Sequence, residues 1–147
     1  MGGHAWFYFV AYQRDVDRAL HELREREFKA GRYNPVTPFP QFPVEDSSPA
    51  PGARHKSIDQ ALAASAEDGT RSILDMSRVG SKADYGVVVP LDERRVQELY
   101  GTTQPSREMV EPDMEFMEDI ERGHGIYLIT YRDGHPSEIL FAGYSYD

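Results

Sequence analysis

Residues 126–146 read IYLITYRDGHPSEILFAGYSY, and their pattern decides the fold class. Two runs rich in β-branched and aromatic residues, 126–131 and 138–146, flank Asp133-Gly134-His135-Pro136. Asp and Gly tolerate the left-handed backbone that a tight hairpin turn demands, so the spacing predicts a β-hairpin. Further back, Trp6-Phe7-Tyr8-Phe9-Val10-Ala11-Tyr12 is apolar at both alternating sets of positions. That suits a strand covered on both faces and predicts a central place in the sheet. Residues 70–76 (TRSILDM) and 86–89 (GVVV) read as further strands.

Between these runs the hydrophobic period lengthens from two to 3.6. Asp15 precedes Val16, Ala19, Leu20, Leu23 and Glu27 or Phe28 at helical spacing, and Gly31 supplies the stop. Ser57-Ile58-Asp59-Gln60 fits a capping box that opens a helix through Ile58, Ala61, Leu62 and Ser65, closing at Gly69. Asp92 caps a third helix through Val96, Leu99 and Tyr100. Ser106 opens a short one to Glu111, and Pro112 precedes another over 113–122. The expectation is a single α+β domain over 1–147. Its sheet, mixed or mainly antiparallel, has about five strands, with helices packed on it and a C-terminal β-hairpin. A chain that finishes inside a sheet is expected to be a complete domain.

Residues 34–54 contain six of the ten prolines, with Phe39 and Phe42 interleaved, which excludes helix and internal strand and leaves a Pro-rich loop over 34–56. Loops this long in a compact domain are functional or disordered. Phe39 and Phe42 are expected to lay the first half on the body, with 45–52 mobile.

Several chemistries are excluded by what the chain lacks. It has no cysteine, hence no disulfide, thiolate metal site or cysteine nucleophile. There is no Gly-x-Ser-x-Gly elbow, Ser-x-x-Lys or phosphate-cradling glycine run. The five histidines, His4, His21, His55, His124 and His135, stand in five segments without metal-ligand spacing. With Met1 removed, Gly2-Gly3-His4 would offer Cu(II) a square-planar nitrogen site, a pattern read as accidental. Trp6 stands where a myristoylation signal on Gly2 wants Ser or Thr. No secretory leader or apolar stretch near 18 residues is visible, so a soluble cytoplasmic protein is expected, with no cofactor and no metal.

Net charge is −9 and unevenly spread: residues 1–56 sum to +1 and residues 57–147 to −10. Such a field repels nucleic acid and anionic membranes and draws in a basic protein partner. Its densest part is 106–122, where Glu108, Glu111, Asp113, Glu115, Glu118, Asp119 and Glu121 face only Arg107 and Arg122. On a helix, Glu115, Glu118, Asp119 and Arg122 would share one face, with Met114, Met117 and Ile120 turned inward. No Asp-x-Asp-x-Asp-Gly loop accompanies them to hold a cation.

Gly31-Arg32-Tyr33-Asn34-Pro35 is similar to the Gly-Arg-aromatic-Asn-Pro segment of RES-type NAD-degrading toxins. The resemblance covers five of 147 residues. It implies that Arg32 would steady the NAD phosphates. Where that family continues into a strand and a helix leading to its active-site Glu, this chain has a proline-rich stretch up to Ser57.

Two functional expectations follow. The leading one is a non-catalytic interaction protein, a binding, regulatory or immunity-type module. Its partner-binding surface would be Glu111, Asp113, Glu115, Glu118, Asp119 and Glu121, with Phe39 and Phe42 from the loop. The alternative is a small enzyme of unfamiliar type acting on NAD or a nucleotide, its site under the 34–56 loop and built from Arg32, Tyr33 and His55. A homodimer through the Tyr-rich strand 138–146 is a further expectation.

Overall fold

The first helix begins where Asp15 accepts a hydrogen bond from the Arg18 backbone N–H at 3.0 Å, and it ends where Gly31 turns left-handed at φ 74°. The computed structural model describes residues 3–147. Gly2, with its copper pattern and acylation question, lies outside them. In chain order the elements are β1 (Ala5–Ala11), α1 (Val16–Ala30), α2 (Ile58–Ala64), a 3-10 turn (Ile73–Asp75), β2 (Arg78–Val79) and β3 (Val87–Pro90). There follow α3 (Glu93–Tyr100), α4 (Arg107–Val110), a 3-10 segment (Glu115–Asp119), β4 (Gly125–Arg132) and β5 (His135–Tyr144).

The single α+β fold carries one mixed sheet in the order β1-β5-β4-β3-β2. β1, β5 and β4 pair antiparallel, while β4, β3 and β2 pair parallel. The hairpin closes on Asp133 and Gly134, both at positive φ, the backbone of a two-residue turn. Its register breaks between Thr130 and Tyr131, leaving Ser137 free to accept the Tyr12 N–H at 3.0 Å.

Both faces of the sheet are covered. Trp6, Tyr8, Ile139 and Phe141 pack beneath α1, α2 and the 3-10 turn with Leu20, Leu23, Phe28, Ile73 and Leu74. Ile126, Leu128, Leu140 and Ala142 face the other way, against Val96 of α3, Val110 of α4 and Phe116 of the 3-10 segment. β1 is therefore two-faced as its sequence implies, but it is an edge strand rather than a central one. Helices and loop cover its faces, and apolarity reports covered faces, not the number of neighbouring strands. β5, in contrast, has partners on both sides, so the strand expected to pair between two copies is no free edge.

Residues 70–76 are not a strand either. Ser72 Oγ accepts the Leu74 N–H at 3.2 Å, and the Asp75 carboxylate accepts the Thr70 N–H at 2.8 Å. These local bonds compete with a ladder and curl the segment into the 3-10 turn, which still buries Ile73, Leu74 and Met76 completely.

The proline-rich loop is tied to the body at several points. The Phe42 ring meets Tyr8 edge-on, 5.1 Å between centroids, and Val44 packs against the same core. The Gly52 N–H donates to Ala30 O at 2.9 Å. At Gly31 a Cβ would run into the Gly52 carbonyl, so this glycine serves both the helix stop and the loop's return. Phe39 stays 65% exposed, with the Arg71 guanidinium 4.4 Å from its ring centre.

Candidate functional site

The acidic stretch folds as the 3-10 segment Glu115–Asp119, not as the α-helix expected over 113–122. No side chain caps its start, and Pro112 denies the preceding turn a donor. Its apolar side chains recur every third residue, at Met114, Met117 and Ile120, which suits a helix of three residues per turn. Phe116 is fully buried and Ile120 nearly so, and these two side chains anchor the segment to the sheet. The same period sets Glu115 above Glu118 on the outer edge.

The carboxylates divide by partner. Asp119 accepts from Arg95 Nε at 2.9 Å, and that hydrogen bond raises the pKa of the guanidinium, helped by the nearby charges of Glu115 and Glu98. Glu111 accepts from Arg107 Nε at 3.2 Å, and Arg107 also reaches Glu138 at 3.1 Å. Glu121 lies 3.9 Å from the His124 ring, whose charge depends on protonation. Glu108, Asp113, Glu115 and Glu118 have no ion-pair partner among the described residues. The Tyr100 hydroxyl donates to the Asp113 carbonyl, and its pKa is pushed up to about 12 by burial and then by the Asp113 charge.

Beside this edge runs a groove of about 320 Å³ between the 3-10 segment and the strands β3 and β4. Val89, Leu91, Phe116 and Ile126 line it with carbon, and Asp92, Asp119 and Glu121 contribute carboxylates. With Arg95 engaging Asp119, the rim keeps an excess of negative charge. The sequence pointed to the acidic residues but not to Val89, Leu91 and Asp92, which only the parallel pairing of β3 with β4 brings alongside. Among the described residues, no three His, Asp or Glu side chains converge as metal ligands.

A second concavity, about 550 Å³, lies within the proline-rich loop and is lined by Arg32, Phe39, Phe42, Glu45 and Ser48 among others. Arg32 donates from Nε and Nη2 to Glu27 at 2.8 and 2.7 Å, and Arg26 Nε donates to the same carboxylate at 2.9 Å. Glu27 is completely buried. Its hydrogen bonds raise the Arg32 pKa further above the ordinary value.

Tyr33 and His55 stand apart from this cleft. The Tyr33 hydroxyl and His55 Nδ1 are 2.7 Å apart, and the fully buried Tyr33 ring stacks on Phe28 at 5.7 Å. The pair holds the returning end of the loop to α1, whereas Arg32 lines the cleft. Arg32, Tyr33 and His55 thus occupy neighbouring but separate environments. Of Phe39 and Phe42, both line the loop cleft and neither borders the acidic groove.

No known protein family, curated protein or solved structure matches this chain.

Proposed function

We propose that this protein is a non-catalytic interaction module that receives a basic segment of a protein partner on the acidic face of its second half. One observation carries the reading: the groove between β3, β4 and the 3-10 segment joins an apolar floor to a carboxylate rim. Lys and Arg side chains carry a long apolar stem and a charged head, and they bury the first while keeping the second near opposite charge. The unpaired Glu115 and Glu118 extend that field beyond the groove. Charge complementarity of this kind sets association rate and partner choice more than total affinity.

The acidic balance of residues 57–147 argues against a nucleic-acid partner. The described residues contain no helix long and apolar enough to cross a membrane.

The test uses a labelled peptide of alternating Lys and Leu, titrated with the full chain and followed by fluorescence anisotropy. Binding is expected to weaken at least about tenfold when ionic strength rises from 0.05 to 0.5 M, since surface charges are screened within a few ångströms at high salt. Replacing Glu115, Glu118 and Glu121 together by Gln should produce a comparable loss. Asp119 is left intact, because its removal would free Arg95 and alter the fold's own ion pair. Equal affinity of the triple variant and the native chain would rule the acidic face out as the docking surface.

The alternative enzyme reading, on NAD or a nucleotide, draws its support from the short Tyr33–His55 contact beside Arg32. It requires a rise in melting temperature with such a ligand, abolished in His55→Ala.

A further inference from the structure

We infer that the cleft within the proline-rich loop binds a small organic monocarboxylate with a flat apolar body. Arg32 lines it with a side chain only 16% exposed, its guanidinium fixed by a two-pronged grip on the buried Glu27. A guanidinium presents five N–H donors in one plane. Glu27 occupies the edge formed by Nε and Nη2, and Nη1 donates to no acceptor among the described residues. That remaining edge matches a planar carboxylate, which can accept two parallel N–H donors.

Charge decides between a monoanion and a dianion. Arg26 and Arg32 share the single carboxylate of Glu27, which leaves one positive charge in excess. Glu45, on the cleft wall, places a negative charge near the mouth and opposes a second negative charge on the ligand. With Glu45 counted these four charges sum to zero, so the attraction for a ligand comes from the open edge of Arg32 alone, and Glu45 opposes a dianion more than a monoanion. The walls supply the remaining chemistry. Phe39, Pro40, Phe42 and Pro43 surround the space with rings, and Phe39 is 65% exposed, so a flat apolar ligand would remove from water a ring that the core leaves out. A volume of about 550 Å³ suits a small molecule.

This site shares no residue with the acidic groove, so either can fail without the other. The probe is 3-phenylpropionate, titrated into the ¹⁵N-labelled full chain, with 3-phenylpropionamide as neutral isostere and phenyl phosphate as dianion. Saturable shifts are expected at millimolar concentration or below in the amides of 39–49 and in Arg32 Nε–H. The amide should bind at least about tenfold more weakly, since it cannot make charge-assisted hydrogen bonds. Phenyl phosphate should bind less well than the carboxylate. Because Arg32→Ala perturbs the fold itself, the discriminating variants are Phe39→Ala, expected to weaken binding several-fold, and Glu45→Gln, expected to tighten it. The inference is overturned by non-saturating shifts, by equal affinity for the amide, by tighter binding of phenyl phosphate, or by unchanged affinity in Phe39→Ala.

Discussion

Replacing Phe116 by alanine lowers the free energy of unfolding by about 3–5 kcal/mol, the usual cost of deleting a buried aromatic ring and leaving a cavity. Phe116 is fully buried and packs with Val96, Val110, Ile126, Leu128 and Leu140 on the outer face of the sheet. It is also the main anchor of the 3-10 segment, which has no side-chain cap of its own. In a domain of this size the loss corresponds to a fall in melting temperature of roughly 10 °C, measurable by calorimetry or circular dichroism. The variant should also bind the basic peptide less well, because Glu115, Glu118 and Asp119 would no longer be held beside the groove. Met117→Ala, at a half-buried neighbouring position, should cost distinctly less. A loss below about 1 kcal/mol in Phe116→Ala would mean that the acidic edge is held by something other than this ring.

Arg32→Ala is expected to destabilise the protein by about 3 kcal/mol in urea denaturation, the lower end of the range for removing one partner of a buried ion pair. The cause is Glu27, which has no exposure to water and would keep only the Arg26 hydrogen bond at 2.9 Å. Arg26 is half exposed and satisfies one carboxylate oxygen, so part of the interaction survives. Arg32→Lys should fall in between, since an ammonium restores the charge but not the planar two-pronged contact. Substituting Glu27 and Arg32 together by uncharged residues of similar size should cost less than Arg32→Ala alone, because no buried charge is then stranded. A double variant as unstable as the sum of its singles would contradict the ion-pair explanation.

The starts of α1 to α4 were legible in the sequence because each is fixed by chemistry within a few residues, whereas α2 ends at Ala64, capped by Ser65, rather than at the Gly69 expected. Asp15, Ser57, Asp92 and Ser106 all accept the backbone donors that their positions imply, and Gly31 and Gly101 both turn left-handed. The hairpin was legible for the same reason, since Asp133-Gly134 sets its own turn. What escaped was set at a distance. The edge position of β1 depends on its pairing with β5 more than 120 residues later, and its apolarity records only the layers above and below it.

The two concavities show the same division. The acidic residues of 111–121 stand out in the sequence, yet their α-helical reading missed that Phe116, rather than the Met114 and Met117 pair, is the buried anchor. Glu27 fell on the apolar face of α1 and so carried a signal of its own: a carboxylate at a core position requires a partner. Identifying Arg32 and Arg26 as those partners required the left-handed turn at Gly31, which brings Arg32 back over the helix end.

The claim that the acidic face docks a basic partner is tested most directly by mapping the Lys-Leu peptide on the protein by ¹H–¹⁵N NMR titration. Saturable shifts are expected, concentrated in 89–92 and 115–126, the two walls of the groove, and they should vanish in the Glu115, Glu118 and Glu121 to Gln variant. Shifts centred on the proline-rich loop, or a response in the triple variant as large as in the native chain, would contradict it.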